Sequence, residues 1–448
     1  MPSFHVVRRA SAGLLAVLAM AACSSRGEDA KPGAPPRPAK STGTEASSTS
    51  DGAAGVGGAS EPASAMSAGG GGALDTASNG TTSATDGGVD GGSADVNYLG
   101  NVAIVDEPDV ACTHDSGAVP IEIYAASANP SGFARLEVVG SRRVAWTSFG
   151  SGFTLFDASG ANANATLTSL ADTYNFATSE GATVGLAGVT SDSVYFRRYD
   201  ASGAAAFAPL TLGETNATGL LIGGSAGASL VAWGQGDAVQ AVGVSEAGNV
   251  GVQFTFGAGT IGSYVKGSIA PATGGFAVAW TGEPVPNMVR TSFALASATG
   301  LTKPVVQIAT SSFPHQLVKM VKTPGGYALL FNGDFPSSTL YALAVDRNGK
   351  ALGPAHRLLG GQFGWDLAAQ GDKLGVLAMK ATGEAVFRPL DASGAPLGPW
   401  VCFAGPSPND LYITAALQAA GAGYEILYRG NDGAVDLVAV DALGAAVP

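Results

Sequence analysis

The sequence predicts an all-β fold, a ring of seven four-stranded sheets, on three observations. First, an apolar stretch ending in a large residue recurs along the chain, at Trp146, Trp233, Trp280, Phe331, Met379 and Tyr428, with a weaker copy, "TVGLAG", ending at Gly188. Second, a turn string closed by glycine follows each one after about 14–20 residues, at Gly160, Gly203, Gly248, Gly300, Gly349, Gly394 and Gly444. Third, each period of about 42–52 residues holds four short strand-forming runs bounded by Gly, Asp and Ser. Four strands per such period is the pattern of a propeller blade, and seven copies predict a seven-bladed β-propeller.

The elements follow in chain order. Arg8 and Arg9 close a short basic stretch, and Ala10 to Ala22 form an apolar run of about a dozen residues. That is too short to span a bilayer, so residues 1–22 read as a signal peptide and stand outside the fold. The run ends in Met20-Ala21-Ala22-Cys23, which resembles the lipobox of bacterial lipoproteins, with Met where Leu is commonest. The resemblance implies cleavage before Cys23, acylation of Cys23 and attachment to a lipid bilayer. Ser24, rather than Asp, is the residue that the resemblance associates with an outer-membrane lipoprotein in the cell envelope, facing the periplasm or the cell surface.

Residues 23–96 are almost entirely Gly, Ala, Ser, Thr, Pro and Asp, including "AGGGGA" and "DGGVDGGSAD". Such a stretch buries too little apolar surface to offset its ordering entropy and reads as a disordered tether. Roughly 70 residues of such coil have a root-mean-square span of about 45 Å. A tether of that reach suits a domain that meets a partner beyond the headgroups.

Residues 97–448 form the propeller domain. The first blade reads "ARLEVVG", "RRVAWTS", "GFTLFD" and "ATLTSLA". The seventh has only three strands, "LYITAALQ", "GYEILYR" and "VDLVAVDALG". Asp115 to Ala125, "DSGAVPIEIYA", looks like the missing fourth, so an N-terminal strand is expected to close the ring and remove the open edges. "GGFAVAW" and "LDASGAPLG" resemble propeller repeats of bacterial cell-surface and secreted proteins, a likeness that speaks to architecture and location. The integrin-type calcium repeat is a related pattern, but its Asp-x-Asp-x-Asp-Gly loop is absent here.

The recurring "DASG" string reads as a type I turn between third and fourth strands. Asp at its first position can accept from the backbone two residues on, and Gly suits the fourth. Copies such as "SEAG" and "SATG" lose the Asp, which a metal site would not tolerate.

Composition narrows the chemistry. The net charge is -12 and 13% of residues are charged, which argues against nucleic acid. Cys112 and Cys402 lie near outer strands of adjacent blades, in a compartment that permits disulfides. They read either as a bridge stapling the closure or as two buried thiols. "GGSAG", Gly223 to Gly227, matches a nucleophile-elbow pattern, but Ser225 falls in a hairpin rather than a strand–turn–helix setting. His114, His315 and His356 are scattered without ligand spacing and read as solvated loop residues. The acidic run "DEPD", Asp106 to Asp109, reads as a solvated charged loop. No metal or cofactor is expected.

Loop length offers one positional cue. The fourth and fifth copies carry about 20 and 18 residues between anchors, more than most others, as "TGEPVPNM" and "NGDFPSST". They would set Glu283, Asn287, Asp334 and Phe335 on the face built from the second-to-third-strand loops, with Phe313 and His315 nearby. The expected function is a monomeric, non-enzymatic surface propeller that binds a protein or glycan. The alternatives are a hydrolase or lyase using carboxylates from separate blades, or a spacer without a specific ligand.

Overall fold

The computed structural model describes residues 99–447 apart from 109–112, 115–119, 125–132, 148–151, 158, 160–161, 169–172, 181–182, 191, 215–216, 226, 259–265, 286–287, 313–314, 334–338, 360–362, 381–383, 404–414 and 430–433. Cys23, Cys112, Asn287, Phe313, Asp334 and Phe335 therefore lie outside the described residues.

Seven sheets form, each built on an antiparallel run of at least three consecutive strands. Blade 1 runs Phe133–Val139, Arg142–Thr147, Gly152–Asp157 and Asn162–Thr168 from the inside outward. The inner strands of successive blades touch all the way round, and Ala415–Ala420 of blade 7 meets Phe133–Val139 of blade 1. The buried apolar residues gather into seven clusters, and each cluster spans one seam between neighbouring blades.

That packing explains the sequence pattern. A second strand has a sheet pressed against each of its faces, so it reads as a continuous apolar run rather than an alternation. Ala228–Gln235 and Gly326–Gly333 are buried at nearly every position. The large residues that end the second strands fill the seams: Trp233 between blades 2 and 3, Trp280 between 3 and 4, Phe331 between 4 and 5, and Tyr428 between 6 and 7.

The ring closes as expected. Ile121–Tyr124 pairs antiparallel with Val435–Asp441 and forms the outer strand of blade 7, with Ile121 opposite Leu437. Ile123 is buried in the seam between blades 7 and 1.

The chain leading to that strand has more structure than the sequence suggests. Gly100 bridges Thr310 in the outer strand of blade 4. Ile104–Asp106 then pairs parallel with Ala355–Leu359, the outer strand of blade 5. Thr113–His114 pairs parallel with Val401–Phe403 of blade 6. The N-terminal segment is thus a belt along three outer edges before it becomes the fourth strand of blade 7. Leu99 and Val102 sit in the seam between blades 4 and 5.

The belt overturns the reading of "DEPD" as a solvated loop at Asp106 and Glu107, while Asp109 lies outside the described residues. Asp106 pairs with Arg357 at 3.0 Å, and Glu107 Oε1 lies 2.6 Å from His356 Nδ1. His356 is accordingly not a solvated loop residue either, because the edge strand of blade 5 needs polar partners for the belt it carries.

Candidate binding cleft between blades 4 and 5

The insertions expected to build a binding face do not form one among the described residues. The first half of "TGEPVPNM" continues strand rather than loop. The second and third strands of blade 4, Gly275–Val285 and Met288–Ser297, extend as a hairpin until Val285 faces Met288. Glu283 is half-buried on that hairpin. Its proposed companions Asn287, Phe313, Asp334 and Phe335 fall outside the described residues.

His315 is a correction. It opens the inner strand of blade 5 and is only 3% exposed. Its Nε2 lies 3.0 Å from Thr291 Oγ1, which in turn is 3.1 Å from Thr281 Oγ1. Thr281 Oγ1 also accepts from the Leu317 backbone N–H at 3.0 Å. The imidazole packs edge-on against Phe331 at 6.0 Å. It joins blade 4 to blade 5 and is not displayed to a ligand, because burial without those partners would strand its polar atoms.

Ser225 does not sit in a nucleophile elbow. It ends the inner strand of blade 3 opposite Ala228, with strand rather than helix on either side of its hairpin.

The central channel, about 360 Å³, is lined by inner strands of six blades. Several charged side chains beside it are paired across blades. Lys319 Nζ donates to Asp366 Oδ1 at 2.5 Å, and Asp366 Oδ2 accepts from the Leu417 backbone N–H at 2.7 Å, linking blades 5, 6 and 7. Gln418 Nε2 donates to Glu425 Oε2 at 2.5 Å, and the guanidinium of Arg143 grips both Glu425 oxygens across the seam of blades 7 and 1.

The turn strings from Asp200, Asp346, Asp391 and Asp441 hold as read, each with its Gly N–H donating to the Asp carbonyl; in "SATG" Gly300 instead lies in a strand, opposite Ser297. The Asp391 carboxylate accepts from the Ser393 N–H at 2.8 Å, the Ser393 hydroxyl at 2.6 Å and the Ala395 N–H at 3.0 Å. Gly394 takes a φ of 93° and donates to the Asp391 carbonyl at 3.0 Å. In "SEAG" the Ser245 hydroxyl replaces the carboxylate, accepting from Asn249 N–H at 3.0 Å.

These turns and the first-to-second-strand turns share one face, opposite to the insertions, and there a cleft of about 500 Å³ opens between blades 4 and 5. Its floor is apolar, with Phe276, Ala296 and Tyr327 buried. Its rim is polar: Thr273 and Thr302, then Lys303, Lys322, Arg347 and Asn348. Lys303 Nζ donates to Asn348 Oδ1 at 2.6 Å across the seam, and Arg347 Nη2 donates to the Pro324 carbonyl at 3.1 Å. Burial pushes the Tyr327 phenol up, against the pull of the Arg347 charge, so the phenol stays a hydroxyl donor at neutral pH.

Sequence reasoning missed this cleft because it followed insertion length. The usable signal was substitution within the repeat: among the seven turn strings only "DRNG" carries a basic residue, Arg347.

No family model matches the chain, and no curated protein matches it. Among solved structures it is similar to the BP39L lectin from Burkholderia pseudomallei, with 11% identity over 73% of this chain and 98% of that one and a TM-score of 0.50. It is also similar to a puromycin hydrolase, the S511A mutant complexed with PGG, with 16% identity over 76% of this chain and 56% of that one and a TM-score of 0.46. A puromycin-hydrolyzing peptidase of Mycobacterium tuberculosis shows 14% identity, 74% and 55% coverage and a TM-score of 0.43. The chain spans little more than half the length of these two hydrolases. At such identities the likeness speaks to fold alone, a β-propeller.

Proposed function

We propose that this chain is a surface-tethered binding propeller that takes its ligand in the cleft between blades 4 and 5. The observation that carries this reading is the cleft itself: an apolar, partly aromatic floor beneath a rim of hydroxyl, amide and cationic groups. A few convergent polar groups over an apolar base are what a small-ligand site requires. Hydroxyl-rich rims suit a glycan of the envelope or extracellular matrix better than an apolar protein surface.

Attachment belongs to the same proposal. Acylated Cys23 anchors the chain in the outer membrane, and residues 24–96 carry the propeller clear of it. A hydrolytic reading finds no support near the channel, where Asp366 and Glu425 are spent on Lys319 and Arg143.

The test is binding of the purified full-length chain to a panel of oligosaccharides. Thr302→Trp, which fills the cleft, abolishes binding if the cleft is the site. Binding that survives the filled cleft sinks the proposal. For attachment, Cys23→Ser moves the protein from the membrane to the soluble fraction; an unchanged membrane fraction overturns the anchor.

A further inference from the structure

The charge of the cleft runs against that of the molecule. Asp and Glu outnumber Lys and Arg by 35 to 23 along the chain. Yet the described residues lining the cleft include Lys303, Lys322 and Arg347 and no carboxylate. The carboxylate beside Arg347 in the same turn, Asp346, is bound to the backbone N–H groups of Asn348 and Lys350, at 2.8 Å and 2.9 Å.

The ion pairs among the described residues engage Arg143, Lys319, His356, Arg357 and Lys380. None engages the three cations of the cleft. All three are exposed, come from three separate stretches of chain, Lys322 from the end of the inner strand of blade 5, and converge on one space. Holding like charges around a concave wall costs free energy in the empty protein, and an anion in that space relieves it.

Two contacts set how the cations are held. Lys303 is fixed by Asn348, and Arg347 by the Pro324 carbonyl. Each contact uses one donor, so the guanidinium keeps N–H groups for a planar oxyanion and the ammonium keeps two more. Thr273, Thr302 and the Tyr327 hydroxyl supply the neutral hydrogen bonds that a sugar ring needs.

We propose that the cleft between blades 4 and 5 recognises an anionic saccharide, with the acidic group of a uronate or of a sulfated or phosphorylated sugar set against Lys303, Lys322 and Arg347. This rests on the reading of the cleft as the binding site and adds the charge of the ligand. An acidic peptide would meet the cations equally well. The hydroxyl and amide rim and a volume of about 500 Å³ favour one or two sugar units.

The test is titration calorimetry of the full-length chain with four probes: a uronic acid trisaccharide, a sulfated disaccharide, a neutral trisaccharide and a short oligoglutamate. At least one of the two anionic saccharides binds, at least tenfold more tightly than the neutral one. Its affinity falls tenfold or more in the Lys303→Gln, Arg347→Gln double variant, and falls again on raising salt. Lys322→Glu weakens it as well, while the thermal midpoints of both variants stay near that of the parent. Tight binding of the neutral sugar alone overturns the charge assignment and leaves the cleft as the site. Tighter binding of oligoglutamate replaces the saccharide with a peptide. Anionic binding that survives the double variant moves the site elsewhere, and no binding of any probe overturns both readings.

Discussion

At Asp391 one side chain organises a whole turn, and the same device recurs at Asp157, Asp200, Asp346 and Asp441. Each carboxylate accepts from the N–H two residues on, and most also from the N–H four residues on. Hydrogen bonds of this kind are worth about 1 kcal/mol net each, so Asp391→Ala, which removes three of them, should lower unfolding free energy by about 1–3 kcal/mol, read from the urea midpoint. The hydroxyl of Ser202 holds the Asp200 carboxyl below the usual carboxylate range, and the Lys350 N–H does the same at Asp346. A depressed folded value gives stability that is present above the unfolded value and lost as pH falls through the folded one. The urea midpoint should therefore decline as pH drops below the ordinary aspartate range. The double variant Asp200→Asn, Asp346→Asn should show a shallower decline; an identical decline would assign the acid sensitivity to other carboxylates. Both carboxylates are nearly solvent-exposed, so screening keeps the effect small.

The belt shows which elements a sequence can announce. Blades were legible because each strand presses against a second sheet and repeats at a fixed period. The closing strand was legible because blade 7 lacked a fourth. The rest of the belt was not: it pairs in pieces of two or three residues, parallel to edges, and so has no periodicity to read. What it leaves in the sequence is isolated chemistry, such as Gly100 and the acids after it. Gly100 adopts a φ of 60°, and a Cβ there would stand 1.8 Å from the Thr310 carbonyl oxygen. Gly100→Ala should thus peel the belt from blade 4 without unfolding the ring, because local opening costs less than global unfolding. The readout is amide exchange. The Thr310 N–H, held by Asn101 Oδ1 at 2.8 Å, and the Ala355 N–H, held by the Ala103 carbonyl at 2.8 Å, should exchange faster. Core amides of the second strands should not. Unchanged exchange at Thr310 would mean the glycine is not what seats the belt.

A propeller stands or fails as a ring, and the seam between blades 7 and 1 joins its last sheet to its first. Apolar packing at that seam was foreseeable from the count of blades. Its polar clasp was not, because Arg143 and Glu425 lie 282 residues apart and nothing local marks them as partners. Glu425 is 8% exposed and also bonded to Gln418, so removing one partner leaves a charge with little water to turn to. Arg143→Ala and Glu425→Ala should each cost about 3 kcal/mol, and the double variant clearly less than their sum. Additive losses would mean that the two charges act separately. Cys402 is the place to look for a second clasp. Cys402 is disulfide-bonded, and it sits in the outer strand of blade 6 opposite His114 of the belt. Cys112, two residues before His114, is the partner this register favours over Cys23. Such a bond would close a loop of about 290 residues, worth on the order of 5 kcal/mol in the chain-entropy account. It would also hold the belt beside the closing strand of blade 7. Under non-reducing conditions Cys112→Ser should then free one thiol at Cys402 and lower the thermal midpoint, and reduction should do the same to the parent while leaving the variant unchanged. A variant that keeps its midpoint, or in which Cys402 remains bonded, would show that the ring is held shut without that link.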